Sequence, residues 1–364
     1  MLLLQQVQWF RMNGWQPAVA ILSGKNDPQL IDDLGLAPEQ LLIFNSSHAV
    51  LNNAAIGFAI KHRNELAAFV REQQVKNIVA HLPLAHFCGR LLKLKNPSAQ
   101  LLVYHHSMQY QASPLNTLSK KVFNKIQKIL AAKTDDVSVC ISEAVKQNIQ
   151  EHFVLKNPVI LYNAVKDRST TIGSTKDEYP LHHNLSFIKM VLPGRLHPAK
   201  GHLFFLNVFM QLIQEFHQPV KLIIAGGGGL EKEIKQFIHK NKLENNVSVT
   251  GFLSNELLLQ EIKDANLVLI PSISEGLGIV GIEALMLGKT VVASDAGGLK
   301  EVFIHGKNGY LFEAGVHDSC LNVLRSVLSK LPSSLLPVAV LREDYERRFS
   351  FDIYIRKFTA LLKE

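Results

Sequence analysis

The feature that most constrains the fold is a repeated alternation of short, uniformly apolar runs with longer segments of helical periodicity. The runs in the first half are AVAIL, QLLIF, NIVAH, QLLVY, VSVCI and PVILY, and the helical segments include NELAAFVREQQVK and EAVKQNIQEHF. Runs without a polar face are typical of parallel strands that helices cover on both sides. The alternation therefore predicts an α/β fold with a doubly wound parallel sheet.

The alternation stops once and then restarts, which indicates two domains. Residues 166–184, KDRSTTIGSTKDEYPLHHN, lack periodicity and predict a linker. Beyond it come the runs FIKMVLP, KLIIAG, NVSVTG, LVLIPS, TVVAS and GYLF. A chain of 364 residues also exceeds what one core usually serves. We predict an N-terminal domain over residues 1–165, a C-terminal domain over 185–344, and a C-terminal helix over 345–364 that packs back on the first domain.

Composition narrows the class of protein. With 47% hydrophobic and 19% charged residues, the chain is neither disordered nor fibrous. Cys88, Cys140 and Cys320 lie far apart without metal-ligand spacing, so neither disulfides nor zinc are expected. The opening MLLLQQVQWFRMNGW predicts an amphipathic helix, and no apolar stretch is long enough to span a membrane. These features predict a cytoplasmic protein.

The net charge of +8 is concentrated in the first half, notably in LSKKVFNKIQKILAAK. There Lys120, Lys121, Lys125 and Lys128 accompany apolar residues, which predicts a basic amphipathic helix. Two interpretations stay open: a solvated lysine face over an ordinary core stripe, or contact with anionic lipid headgroups at the inner face of a membrane. Nucleic acid is not an expected partner, because the lysines lie on one helix and no known reader motif accompanies them.

The richest strand end in the second half is LVLIPSISEGLGIVGIEALMLGKTVVAS. In an open parallel sheet, ligands bind beyond the carboxyl ends of the strands. The helix that begins near Ile279 offers unsatisfied amides to an anion such as pyrophosphate. Glu275 in the loop and Glu283 on the helix are suited to accept hydrogen bonds from the hydroxyls of a ribose or a sugar ring. For an isolated pair of glutamates, a polar loop and a helix surface are the alternative.

A longer segment carries a specific resemblance. SEGLGIVGIEALMLGKTVVASDAGGLKEVFIHGKNGYLF resembles the signature of the family 4 retaining glycosyltransferases, including the spacing of the two glutamates. FIKMVLPGRLHPAKGH, LIIAGGGGLEKEI, NVSVTGFLS, VCISEAVK and VILYNAV are similar to further segments of that family. The resemblance covers residues 185–330 strongly and 75–165 weakly. It implies the GT-B fold, in which two Rossmann-like domains face each other across a cleft, with the donor in the C-terminal domain and the acceptor in the N-terminal one.

The implied activity is the retaining transfer of a hexose or related sugar from a nucleotide sugar. UDP is the commonest donor nucleotide in such families, and GDP and ADP stay open. The acceptor is a glycan or a lipid-linked molecule, as in the synthesis of lipopolysaccharide, capsule or another cell-surface polysaccharide.

The resemblance also implies roles for individual side chains. Glu275 binds the hydroxyls of the donor hexose, and Arg195 and Lys200 neutralise the charge that builds on the leaving diphosphate. His106 matches an acceptor-side histidine near the donor sugar; its neighbour His105 is an alternative match, and a structural hydrogen bond is an alternative role.

The substrate-binding residues come from the same resemblance. Glu283 binds the ribose, and the amides from Gly278 to Val280 hold the pyrophosphate. The complete set of expected substrate-binding residues is Gly194, Gly226, Gly227, Gly276, Leu277, Gly278, Ile279, Val280 and Glu283. Leu277 stands where many relatives have an aromatic residue, which bears on the choice of sugar.

No cofactor and no metal are expected. The sequence has no Asp-x-Asp, so Arg195, Lys200 and the helix amides replace a metal ion at the diphosphate. The segment AGGGGLEKEI follows a strand and opens a helix, as a dinucleotide site does, but a GxGxxG reading from Gly226 places Glu231 where the third glycine belongs. An NAD-dependent oxidoreductase therefore ranks below a transferase.

The chain departs from the family at its start, where relatives usually have a strand and a glycine-rich loop before the first helix. Either the start of the sequence has been lost or misassigned, or the first sheet lacks a strand and the acceptor site is remodelled. Two alternative functions stay open: a glycosyltransferase-like partner subunit that binds a nucleotide sugar without turnover, and a sugar-nucleotide epimerase.

Overall fold

The computed structural model describes residues 2–22, 28–44, 53–112, 116–171, 187–216 and 218–363. The chain divides into two compact units. Unit 1 comprises Met1–Leu161 together with Ile355–Glu364, and unit 2 comprises Tyr162–Tyr354. Among the helices within these ranges, none combines the length and the apolar character needed to cross a bilayer.

Unit 1 contains all six strands predicted for the first half. They are β1 (Val19–Ile21), β2 (Leu41–Ile43), β3 (Asn77–His81), β4 (Gln100–His105), β5 (Val137–Cys140) and β6 (Pro158–Ile160). In the described part of the unit, β1 pairs with β2, and a separate sheet has the order β3-β4-β5-β6. Every pairing is parallel. The α/β prediction is confirmed.

Helices alternate with these strands. They are α1 (Leu2–Met12), α2 (Pro28–Leu34), α3 (Asn53–Glu72), α4 (Leu82–Lys95), α5 (Gln109–Ala112), α6 (Leu118–Thr134) and α7 (Glu143–Gln150). Helix α1 is the amphipathic helix predicted at the start. Local sequence sets the helix starts: Ser142, which precedes α7, accepts a hydrogen bond from the Val145 amide at 3.0 Å. Strand β4 is buried along its whole length, which its uniformly apolar core predicts.

Unit 2 contains the six strands predicted for the second half. They are β7 (Ile188–Pro193), β8 (Val220–Ala225), β9 (Val247–Gly251), β10 (Leu267–Ile270), β11 (Val291–Ser294) and β12 (Tyr310–Phe312). Helices α8 (His202–Glu215), α9 (Glu231–Lys240), α10 (Asn255–Asp264), α11 (Ile279–Met286), α12 (Leu299–Val302), α13 (His317–Leu328) and α14 (Val338–Phe349) alternate with them. The core includes Phe205 and Phe209 of α8, both at most 1% exposed.

The strand order of unit 2 locates its ligand-binding edge. The sheet runs β12-β11-β10-β7-β8-β9, so the first strand of the unit lies in the middle. From β7 the chain builds outward to β9, then returns to the other side of β7 and builds outward again from β10 to β12. Numbered within the unit, this is the Rossmann order 3-2-1-4-5-6, whose switch point lies between its first and fourth strands. Those strands are β7 and β10.

The first part of the predicted linker belongs to unit 2. Val165 forms a parallel bridge with Ser350, and the Arg342 guanidinium pairs with the Asp167 carboxylate at 2.7 Å. These contacts fix residues 166–171 against unit 2, so the unit boundary at Leu161 precedes the predicted linker. The rest of that linker, from residue 172 to residue 184, lies outside the described residues.

The C-terminal segment consists of α14 followed by α15 (Phe351–Thr359), which starts after Ser350. Its last part groups with unit 1. The Phe358 ring lies 6.1 Å from the Phe10 ring and 6.4 Å from the Tyr104 ring, between centroids. The Asn77 side-chain amide donates a hydrogen bond to the Lys363 carbonyl at 2.9 Å. The end of the chain therefore packs on the elements of unit 1.

Candidate functional site

The switch point of unit 2 is bridged by an ion pair. Lys200 ends a short turn after β7, and Glu275 lies in the loop after β10. Their Nζ and Oε2 atoms are 2.6 Å apart, and the side chains are 29% and 13% exposed. The Ser272 hydroxyl donates a second hydrogen bond to the same carboxylate oxygen at 3.1 Å. Two residues predicted as catalytic thus meet at the sheet edge where α/β folds bind ligands.

Helix α11 begins beside this pair. Gly278 precedes it with φ +91°, a left-handed conformation that glycine adopts readily. A Cβ atom on Gly278 would lie 2.6 Å from a methyl carbon of Leu299 and 3.6 Å from the Cγ atom of Glu275. The first amides of any helix lack partners within it and form the positive end of its dipole. A phosphate therefore has an electrostatically suited position next to Lys200.

The loop after β11 supports the Glu275 loop from behind. A Cβ atom on Gly297 would lie 2.0 Å from the Glu275 carbonyl oxygen, and one on Gly298 would lie 2.3 Å from the Gly276 carbonyl oxygen. The Gly298 amide also donates to the Glu275 carbonyl at 3.1 Å. Sequence reasoning did not single out these two glycines. The sequence feature that could have indicated them is the glycine pair that follows strand TVVAS.

Glu283 lies on α11 and is only 8% exposed. Burial raises the pKa of its carboxyl from the ordinary 4.5 to about 7, although the charge of Arg168 works in the opposite direction. Arg168 is fixed against the same helix, because its amide donates to the Met286 sulfur at 3.4 Å. Sequence analysis missed Arg168, since it falls in the predicted linker. A buried carboxyl whose pKa is raised in this way is a candidate functional residue.

The glycines after β7 and β8 pack against each other. A Cβ atom on Gly226 would lie 2.0 Å from the Gly194 carbonyl oxygen, and one on Gly227 would lie 3.3 Å from the Phe252 amide nitrogen. Gly194 itself has φ +145°. The structure therefore gives Gly194, Gly226 and Gly227 a packing role. Phe252, at the end of β9, is 90% exposed and presents an aromatic face beside this loop.

Replacing Gly226 by alanine should destabilise the protein by about 3 kcal/mol, because the new methyl group meets a backbone carbonyl that cannot rotate away. Gly229→Ala is the matched control, since nothing lies within 4 Å of its Cβ position. The control should change stability by no more than about 0.5 kcal/mol. Urea unfolding of both variants measures the difference. Equal midpoints would show that the loop relaxes without cost.

The remaining predicted residues of this site differ in exposure. The Arg195 side chain is exposed and makes no hydrogen bond or ion pair with another described residue. Ile279 is 45% exposed, and Val280 is half-buried. Leu277, by contrast, is 1% exposed. Its side chain belongs to the core, so an effect of Leu277 on sugar choice acts through the loop and not by direct side-chain contact.

His106 follows β4 in unit 1 and pairs with His81 at the end of β3. The His81 Nδ1 and His106 Nε2 atoms are 2.7 Å apart, and both rings stack on Tyr104. Burial lowers the pKa of His106 to about 3 and that of His81 to about 4, so both rings are neutral at neutral pH. His105 is 5% exposed, and neither of its ring nitrogens has a partner among the described residues. His106 is therefore the more accessible of the two histidines.

The described residues contain no cluster of three or more histidine, cysteine, aspartate or glutamate side chains arranged to hold a metal ion.

Several solved structures share the fold of this chain along nearly its whole length. Anabaena HepE, solved in complex with UDP and glucose, superimposes with a TM-score of 0.76 at 18% identity. The match covers 99% of this chain and 94% of HepE. Together with the two parallel α/β units, this likeness assigns the chain to the GT-B fold class.

Sequence comparison finds a family match in the C-terminal part of the chain. Residues 176–334 match the family model described as glycosyl transferases group 1. This part of the chain is therefore similar to the group 1 glycosyltransferases.

Two relatives show how similar individual sequences are to this chain. An uncharacterized glycosyltransferase of Methanocaldococcus jannaschii is 27% identical over 246 residues, which are 67% of this chain and 63% of that protein. The phosphatidylinositol N-acetylglucosaminyltransferase GPI3 subunit of Saccharomyces cerevisiae is 24% identical over 219 residues, which are 58% of this chain and 48% of that subunit. The chain thus covers less than two thirds of the length of either relative.

Proposed function

We propose that this protein transfers a hexose or related sugar from a nucleotide sugar to a hydroxyl group of an acceptor, with retention of the anomeric configuration. The observation that carries the proposal is the arrangement at the switch point of unit 2. There the Lys200–Glu275 ion pair, the start of α11 and the buried Glu283 combine a cation, helix amides and two carboxylates. In a nucleotide sugar, the diphosphate can bind to the cation and the helix amides, and the hydroxyl groups can donate hydrogen bonds to the carboxylates.

The proposed donor is a UDP-sugar. Support comes from HepE, which has the same fold and was solved with UDP and glucose. In this assignment Glu283 accepts hydrogen bonds from the ribose and Glu275 from the transferred sugar. The diphosphate lies on the amides from Gly278 to Val280. The exposed ring of Phe252 is a platform for the base, since base stacking on an aromatic ring is favourable and tolerant of base type.

The chemistry assigned to the cations is electrostatic. When the bond between the anomeric carbon and the diphosphate breaks, negative charge develops on the leaving phosphate. Lys200 and the exposed Arg195 are the cations after β7 that stabilise this charge, which is the step where preorganised charges contribute most. No metal ion or cofactor is assigned to the reaction. His106, neutral and fixed by His81, is assigned to the acceptor side as a hydrogen-bonding group.

The proposed acceptor is a glycan or a lipid-linked molecule, used in the synthesis of lipopolysaccharide, capsule or another cell-surface polysaccharide. Support for a lipid acceptor comes from the yeast relative, whose name specifies phosphatidylinositol. A cytoplasmic location at the inner face of a membrane is part of the same proposal, because nucleotide sugars are the proposed donors.

The test is an assay of UDP-glucose, UDP-galactose, UDP-N-acetylglucosamine and GDP-mannose with lipid and glycan extracts as acceptors. We expect one donor to release its nucleoside diphosphate and to yield a glycoside whose anomeric configuration, measured by NMR, equals that of the donor. Conversion of one nucleotide sugar into another without release of nucleotide would instead indicate an epimerase. Binding without release or conversion would indicate a partner subunit that has no turnover of its own.

A further inference from the structure

Helix α6 of unit 1 has an inner face that packs on the core. Phe123 and Leu130 contact the apolar cluster beneath the helix, and Ala131 is 2% exposed. Gln127 accepts a hydrogen bond from the Arg90 guanidinium at 2.7 Å, and both side chains are buried. These contacts fix the rotation of the helix about its axis.

The flank of the helix next to this inner face exposes a line of large apolar side chains, which we call the apolar row. It consists of Leu118, Val122, Ile126 and Ile129, which are 78%, 51%, 46% and 53% exposed. Their spacing of four, four and three residues places them along one side of the helix. The core stripe of the helix is therefore made by Phe123, Leu130 and Ala131, and the four residues of the apolar row lie outside it.

A line of lysines lies beside the apolar row. Lys121, Lys125 and Lys128, the lysine row, are exposed, and none forms an ion pair with another described residue. Helix α6 contains no acidic residue. The two aspartates that follow it are already occupied, because Asp135 pairs with Arg90 and Asp136 pairs with Lys93. The charge of the lysine row is therefore uncompensated.

We propose that the apolar row and the lysine row of α6 bind the surface of a bilayer that contains anionic lipids, with the apolar row between the headgroups. An exposed apolar line flanked by lysines, on a helix whose other face is anchored to a folded unit, has the composition of interfacial helices. The lysine stems extend from the edge of the apolar row toward the phosphates. Exposed Lys120 and Lys133 add charge at the two ends of the helix.

The charge of the lysine row favours an anionic bilayer over a second copy of the chain as the partner. A symmetric pairing of two apolar rows would bring two uncompensated lysine rows close together, and like charges at short range repel each other. An anionic bilayer neutralises the lysines and covers the apolar row at once. The surface belongs to unit 1 and not to the donor site, so membrane binding and nucleotide binding succeed or fail independently.

The test is flotation of the purified protein with vesicles of phosphatidylcholine alone and of phosphatidylcholine mixed equally with phosphatidylglycerol. We expect flotation with the mixed vesicles only, weakened by added salt, which screens the charge. Lys121→Gln/Lys125→Gln/Lys128→Gln should weaken binding on the order of a hundredfold, since each lysine contributes about fivefold. Val122→Ser/Ile129→Ser, which keeps every charge, should also weaken it. Both sets of changes are on the outer face, and thermal unfolding should confirm that the variants remain folded.

The matched control changes three exposed lysines on a helix of unit 2. Lys232→Gln/Lys235→Gln/Lys240→Gln lowers the net charge by the same amount but leaves α6 intact, so we expect it to float as the wild type does. A tryptophan introduced as Val122→Trp should shift its emission to the blue with mixed vesicles and be quenched by brominated lipid.

Two results would overturn the proposal. One is equal loss of flotation in the control and in the lysine-row variant, which would reduce the effect to net charge. The other is absence of flotation together with a dimer in analytical ultracentrifugation that Val122→Ser/Ile129→Ser dissociates. In that case a second copy covers the apolar row.

Discussion

Replacing Glu283 by glutamine should make the protein more stable at alkaline pH and, at the same time, weaken its binding of nucleotide. The wild-type carboxyl is buried, and burial raises its pKa to about 7 from an ordinary 4.5. Below pH 4.5 the group is neutral in both the folded and the unfolded protein, so burial has no ionic cost. Between pH 4.5 and about 7 the carboxyl ionises in the unfolded protein but stays protonated in the folded one, so stability falls, and above about pH 7 the loss is complete.

The size of this effect follows from the same values. The difference between 4.5 and about 7, at 1.36 kcal/mol per pH unit, corresponds to about 3 kcal/mol lost at alkaline pH. Glu283→Gln removes the charge and keeps the shape. The variant should therefore match the wild type near pH 4.5 and exceed it by about 3 kcal/mol above pH 8. Urea unfolding at both pH values measures this. The exposed Glu343 of α14 is the control site, and Glu343→Gln should show no such pH dependence.

Binding should change in the opposite direction. If the carboxylate accepts hydrogen bonds from the ribose, its replacement by a neutral amide costs about 1.5 to 3 kcal/mol of nucleotide affinity. A variant that is more stable but binds nucleotide as tightly as the wild type would show that Glu283 is only a buried structural residue. A variant with neither change would show that the carboxyl is solvated.

The second large effect concerns the cations after β7. Arg195→Met and Lys200→Met should each lower kcat for donor turnover by about 10²- to 10³-fold, the range found when one preorganised donor to a developing charge is removed. Arg195 is the cleaner probe. Since its side chain is exposed and has no described partner, Arg195→Met should change the free energy of unfolding by no more than about 0.5 kcal/mol.

Lys200 needs a further control because it also holds Glu275. Ser272→Ala removes the other side-chain hydrogen bond to that carboxylate, at 3.1 Å, without changing any charge. If Lys200 acts only by positioning Glu275, Ser272→Ala should produce a similar loss of kcat. If Lys200 stabilises the leaving diphosphate, its loss of kcat should be far larger. Values of kcat within threefold of the wild type for both Arg195→Met and Lys200→Met would contradict the assignment.

The strands and the core of each unit could be predicted from sequence because their signal is local. Twelve uniformly apolar runs became twelve strands, and the loop after β10 with its glycines indicated the ligand-binding edge before the strand order was known. The glutamate spacing likewise placed Glu275 in a loop and Glu283 on the following helix, as the structure has them.

What could not be predicted depends on contacts between residues far apart in the chain. The ion pair of Lys200 with Glu275 joins positions 75 residues apart, and the support of Glu275 by Gly297 depends on the packing of two loops. The orientation of α6 was missed for a related reason. Its large apolar residues form one broad stripe, and only the packing of the core decides that Phe123 faces inward and Val122 outward.

The most direct measurement of the central claim is a calorimetric titration of the wild-type protein with UDP, GDP and ADP, followed by the 2′-deoxy form of the nucleotide that binds. The proposed site predicts that one nucleotide binds. It also predicts that loss of the 2′-hydroxyl weakens binding to the wild type by about 1 to 3 kcal/mol. The same loss should weaken binding to Glu283→Gln by much less, because the carboxylate that accepts this hydrogen bond has already been replaced. Absence of binding by all three nucleotides, or an equal loss in both proteins, would contradict a donor site built around Glu283.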